Sequence, residues 1–171
     1  MFHFASRPRA TILSAAGAAV ITGLAAATLI GTPAPAAAPD SGHSGKKVLE
    51  SPDAPAAIGP YSQGIAAGST VYVSGQLPID AEVGKIDHGH TIAEQTALSV
   101  QNVEAVLREA KLALDDVVSA TVYLADMDDF AEFNKVYAEY FGTDAAPARA
   151  TVEVAELPLG AKVEISAIAV R

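Results

Sequence analysis

The sequence predicts an α+β fold: one mixed sheet with two helices on one face, in the order β-β-α-β-α-β-β. Three observations carry this. A capping-box signature, Thr91-x-x-Glu94, opens a long stretch in which apolar residues recur at helical spacing. A second, aromatic stripe begins at Phe130 and stops at Gly142. Around both lie short runs rich in valine and threonine, the composition of half-buried strands. Elements in this order pack as a sheet covered by a helical layer.

The chain divides before its first strand. Residues 2 to 38 contain no acid, and Arg7 and Arg9 precede an apolar Ala/Gly/Thr/Ile/Leu run from 10 to 31. A basic start, an apolar middle and the small-residue exit Ala34-Pro35-Ala36 are the marks of a secretory signal. The expected organisation is a signal peptide over 1–36, a flexible Ala/Pro/Ser/Gly linker over 37–45 and one domain over 46–171. The protein is then secreted, with no stable membrane association after cleavage. The alternative is an uncleaved segment that tethers the chain, since about 20 apolar residues can span a bilayer.

Loss of the leader leaves nine basic against 20 acidic side chains, a net charge of −11. Such a surface repels phosphate backbones, so nucleic acid is not an expected partner. With no cysteine, disulfides, thiolate catalysis and Cys-ligated zinc are excluded. His88-Gly89-His90 lacks a third ligand and is read as solvated, so no metal site is expected.

Within the domain, Gly64 and Gly68 precede the β-branched run Thr70-Val71-Tyr72-Val73-Ser74, which suggests a hairpin. Residues 80 to 89 form a polar loop. From Thr91 to Ala113, Val100, Val103, Leu107 and Ala110 alternate with a polar face of Gln101, Glu104 and Arg108. A strand follows over 117–124. Asp128 or Asp129 then caps a helix whose stripe is Phe130, Phe133, Tyr137 and Tyr140 or Phe141.

Two final strands, joined by Leu157-Pro158-Leu159-Gly160, read as a hairpin. Strand parity in that hairpin puts Arg149 on the same face as Glu164, and also sets Glu153 opposite Glu164. Val152, Val154, Val163, Ile165, Ala167 and Ala169 are expected to meet the helices, leaving Tyr72, Ile168 and Val170 on the alternate face. A half-exposed apolar sheet marks an interface, and a homo-oligomer is inferred.

Four ordered segments carry a family resemblance: 55–64 (PAAIGPYSQG), 73–78 (VSGQLP), Asp129-Phe130-x-x-Phe133-Asn134-x-x-Tyr137, and Pro147-Ala148-Arg149 through Val163-Glu164-Ile165. Together they resemble the RidA (YjgF-type) family of reactive enamine/imine deaminases. The resemblance implies a chorismate-mutase-like fold in a homotrimer, with clefts between subunits. It implies hydrolysis of 2-aminoacrylate and related imines to 2-keto acids and ammonia, without metal or cofactor. Arg149 would hold the substrate carboxylate and Glu164 would position or activate water; Tyr61, Asn134, Thr151 and the Ser74-Gly75 backbone would line the cleft. The activity expected is that of a 2-iminobutanoate/2-iminopropanoate deaminase-like hydrolase. The alternative is a noncatalytic module that binds small carboxylates in the same clefts. Thr151 stands where many members have cysteine, Ser166 where a second glutamate is frequent, and Lys111 where a glycine usually closes the first helix.

Overall fold

The computed structural model describes residues 45–142 and 144–171. The expected signal peptide and all but the last residue of the expected linker lie outside these. Eight main elements follow in order: β1 (Lys46–Leu49), β2 (Gly64–Ala67), β3 (Thr70–Gln76), α1 (Ile92–Arg108), β4 (Val117–Leu124), α2 (Phe130–Phe141), β5 (Ala148–Glu153) and β6 (Val163–Val170). The strands form one sheet in the order β1-β2-β3-β6-β4-β5. All pairs are antiparallel except β4 with β5.

That exception corrects the expected hairpin. Parallel neighbours need a crossover connection, and α2 supplies one between β4 and β5. The chain then passes the end of β4 and lays β6 on its other side, between β4 and β3. β5 and β6 therefore do not pair. Glu153 is level with Leu124, and Glu164 with Tyr123, so the expected opposition of two glutamates is absent. β1 is an addition that sequence reading missed. Its two lysines leave little apolar signal, and lysine suits the sheet edge where β1 lies.

α1 begins at the predicted capping box: Thr91 Oγ1 accepts from Glu94 N, and Thr91 N donates to Glu94 Oε2 at 2.7 Å. It closes in a Schellman turn, with Leu112 N donating to Leu107 O and Lys111 N to Arg108 O. Lys111 takes the left-handed backbone, φ 61°, without the freedom of glycine. Before α2, the capping oxygen comes from Asp126, which accepts from Asp128 N, and not from Asp128 or Asp129.

One sheet face is buried under the helices. Val71, Val73, Ala120, Val122, Leu124, Val163, Ile165, Ala167 and Ala169 form a core with Val100, Val103, Leu107 and Phe133. Val152, expected there, is 42% exposed on the other face, because β5 turns Arg149 and Thr151 toward α2. Val154 packs instead in a smaller cluster with Leu77, Ile79, Ile86, Leu157 and Ala161, which closes one end of the sheet. Buried amides of α1 hold that end: Asn102 donates to the carbonyls of Leu77 and Ile79, and Gln95 accepts from Lys162 N. The helix-free face leaves Tyr72, Ile168 and Val170 exposed by 49%, 36% and 37%, as parity predicts. Among the described residues, no helix is long and apolar enough to cross a membrane.

Candidate functional site

The residues singled out from sequence form two groups, on opposite faces of the sheet. Arg149 is paired with core-facing Ala120 and lies on the helix side; Glu164 is paired with Tyr123 and lies on the open side. Three residues of strand rise and two strand spacings separate them, about 14 Å between backbones. The expectation that they share a face is wrong. Its basis was a direct hairpin, and the intervening strand changes the parity.

The Glu164 group forms around an irregularity in β3. Val73 pairs with Ala167 but Gln76 with Ile165, so β3 carries one extra residue at Ser74-Gly75. The Glu164 carboxyl fills the space a Cβ at Gly75 would occupy, with its Cδ only 2.7 Å from that position. Glycine is thus required by close approach, beyond any turn geometry. Ser74 Oγ donates to Ser62 O at 2.7 Å, and Ser74 N to Gln63 O. These bonds tie the strand to the loop bearing Tyr61. The buried Gln63 organises that loop, donating to the carbonyls of Ser51, Ala54 and Pro55 and accepting from Ser51 N. Tyr61 Oη accepts from Ile58 N.

The resulting cleft, about 320 Å³, is lined by Ile58, Tyr61, Ser74, Gly75, Leu77, Pro158 and Glu164. Among the described residues Glu164 has no hydrogen bond or ion pair, and partial burial pushes its carboxyl above the ordinary value of 4.5. A carboxylate so placed is a more basic proton acceptor.

The Arg149 group lies between β5 and α2. One guanidinium nitrogen, Nη2, donates to Asn134 Oδ1 at 2.7 Å. The rings of Tyr137, Phe133 and Phe130 stand 4.5, 5.4 and 5.9 Å from its central carbon. No carboxylate neutralises it among the described residues, so a surface ion pair does not account for it. Thr151, two residues along the same face, has its Oγ1 buried without a partner among the described residues. A second cleft of about 360 Å³ is lined by Asn134, Tyr137, Ala138, Gly142, Ala146, Pro147 and Arg149.

A sequence profile described as endoribonuclease L-PSP matches residues 51–171. The chain belongs to the RidA (YjgF) family. It is 50% identical over 124 residues to a RutC family protein of Pyrococcus abyssi, covering 72% of this chain and 96% of that protein. It is 44% identical over 127 residues to the 2-iminobutanoate/2-iminopropanoate deaminase of Salmonella typhimurium, covering 73% and 98%. Among solved structures, Escherichia coli TdcF with bound serine superposes with a TM-score of 0.69 at 43% identity, over 73% of this chain and 98% of that one. The RidA-type sheet is thus established on independent grounds.

Sequence reasoning found both groups of this RidA-family chain but missed Gln63 and the role of the α2 rings. Gln63 stands in the 55–64 segment that carries the resemblance, but a loop glutamine on its own reads as solvated, and only the fold shows its amide gathering the loop carbonyls. The rings were visible as an apolar stripe, and only the position of β5 reveals that the stripe faces a cation. His90 Nε2 is 3.6 Å from Asp87, and His88 lies against Gly160. Among the described residues, no group of three or more His, Cys, Asp or Glu is placed to hold a metal.

Proposed function

We propose that this protein hydrolyses 2-imino and 2-enamine acids to 2-keto acids and ammonia, in clefts that take Arg149 from one copy and Glu164 from another. The observation that carries the reading is the separation itself. An unneutralised arginine and an unpartnered, raised-pKa carboxylate each face their own open cleft, and one chain cannot bring them to one small substrate. A second copy can, and the exposed apolar sheet face offers the contact. A homotrimer is the closed assembly that the family resemblance implies.

Arg149 holds the substrate carboxylate through its remaining N–H donors, a planar match that lysine lacks. Glu164 takes a proton from water as the new C–O bond forms at the imine carbon, and hands it to the nitrogen as the C=N π bond opens to give the carbinolamine. The carbinolamine then loses ammonia as its C–N bond breaks and the carbonyl forms. Asn134 fixes the arginine, and Tyr61 with the Ser74-Gly75 backbone bounds the other side.

The name of the Salmonella relative supports the reaction class. The net charge, −9 for the whole chain and −11 once Arg7 and Arg9 are removed with the leader, disfavours RNA as substrate despite the family's descriptive label. Export is part of the same proposal, carried by Arg7, Arg9, the apolar run and Ala34-Pro35-Ala36; the N-terminal sequence of protein recovered from its source tests it, and an intact residue 1 contradicts cleavage.

The activity test generates 2-iminopropanoate in situ with an amino-acid oxidase and follows its disappearance. Accelerated loss that vanishes in Arg149→Ala supports the deaminase. A folded protein without acceleration, yet stabilised by small carboxylates, is a binding module instead.

A further inference from the structure

We propose that Tyr137 is a positioning residue whose ring, with Phe133 and Phe130, holds the Arg149 guanidinium in the one plane that presents its free N–H donors to a substrate carboxylate. The inference rests on the reading of Arg149 as the carboxylate-binding group.

Arg149 projects from β5, an edge strand, and has one side-chain hydrogen bond, to Asn134. One bond fixes a point of the guanidinium but not its plane. The rings supply the missing constraint. Tyr137 approaches nearest, and it is braced: its ring stacks on Phe141 at 4.3 Å and 24°, and packs on Phe133 at 5.5 Å. Phe133 is fully buried and Tyr137 is 4% exposed. The cation therefore lies against a wall that cannot retreat.

The hydroxyl of Tyr137 does not explain why a tyrosine stands there. Its oxygen is buried without a hydrogen-bond partner among the described residues. Burial pushes the phenol up to about 12, so it stays neutral and cannot act as an anionic partner for the arginine. What remains is the ring face, whose quadrupole attracts a cation most where water is excluded. The segment 129–137 thus contributes more than Asn134 to the site: the spacing Phe130, Phe133, Tyr137 puts three rings on the helix face that β5 covers. A carboxylate arriving at this arginine meets a donor fork already oriented, which lowers the ordering cost of binding.

Steady-state hydrolysis of 2-iminopropanoate, with thermal unfolding in parallel, is measured for wild type, Tyr137→Phe, Tyr137→Leu, Phe130→Leu and Arg149→Ala. Tyr137→Phe keeps the ring and is expected to hold KM within about twofold. Tyr137→Leu raises KM about tenfold or more while kcat changes much less, the size of a desolvated cation–π contact. A merely structural role would move the unfolding temperature without this split or the rescue by phenylalanine. A folded Tyr137→Leu with wild-type KM, or a Tyr137→Phe as impaired as Tyr137→Leu, overturns the inference. If Tyr137→Leu does not fold, Phe130→Leu decides: its ring is 37% exposed, so the fold tolerates its loss. A KM raised about threefold supports the cradle, and an unchanged KM overturns it. Arg149→Ala without effect instead removes the underlying carboxylate reading.

Discussion

The two half-clefts treat a partly buried charge in opposite ways. Arg149 is surrounded by groups that favour the cation, an amide oxygen and three ring faces, yet none carries the negative charge that would neutralise it. Glu164 receives nothing: no donor reaches it among the described residues, glycine clears space for it, and burial destabilises its charged form. The first arrangement fixes a binding group in place before the ligand arrives. The second keeps a base reactive, because each hydrogen bond to a carboxylate would lower its proton affinity. In the proposed reaction the first region orients the substrate and the second supplies the base.

Removing the charge from either half gives the largest effect. Arg149→Ala and Glu164→Gln are each expected to lower kcat/KM about 100-fold or more, measured on the imine generated in situ. The two differ in how: the arginine variant loses mainly KM, the glutamate variant mainly kcat. Gly75→Ala comes next. Its methyl group displaces the Glu164 carboxyl while leaving the Arg149 half intact, and kcat is expected to fall about tenfold or more with little change in KM.

The comparison also predicts opposite pH behaviour. Because burial raises the Glu164 pKa, the folded chain binds a proton there that the unfolded chain has already released. Stability supplied by this group is full below its ordinary value of 4.5 and declines as pH rises through the raised one. Activity runs the other way, since the base must be ionised. The acid limb of kcat/KM is therefore expected to have its midpoint above 4.5, and Glu164→Gln, though inactive, is expected to unfold at the same or a higher temperature than wild type at neutral pH. An acid limb below that value, or a destabilised glutamine variant, contradicts the account of this half.

The smallest effect lies outside both halves. Lys111→Gly relieves a non-glycine left-handed residue and is expected to add about 0.5–1 kcal/mol, a rise of about 3 °C in Tm, with unchanged kinetics. Thermal unfolding and the imine assay check this together.

Much of the fold was legible because local signals agreed with the final structure. Thr91 and Glu94 cap α1 as their spacing requires, Gly142 ends α2, and the parity of β6 divides Val163, Ile165, Ala167 and Ala169 from Ile168 and Val170. The strand order was not legible. Periodicity tells which residues of β5 share a face, but not that β4 lies between β5 and β6, and the face shared with Glu164 depends on that neighbour. The site residues could be named singly, and their division between two faces could not. On the proposed two-copy site, that division also gives the apolar outer face a partner.

The most direct test mixes two inactive proteins. Arg149→Ala keeps Glu164 and Glu164→Gln keeps Arg149, so clefts shared between copies restore whole sites when the variants are co-expressed or refolded together. The predicted result is recovery to about a quarter of the wild-type rate, the statistical share of interfaces that pair an intact arginine with an intact glutamate. A mixture no more active than its parents, with mixed oligomers verified by mass, would contradict the two-copy site.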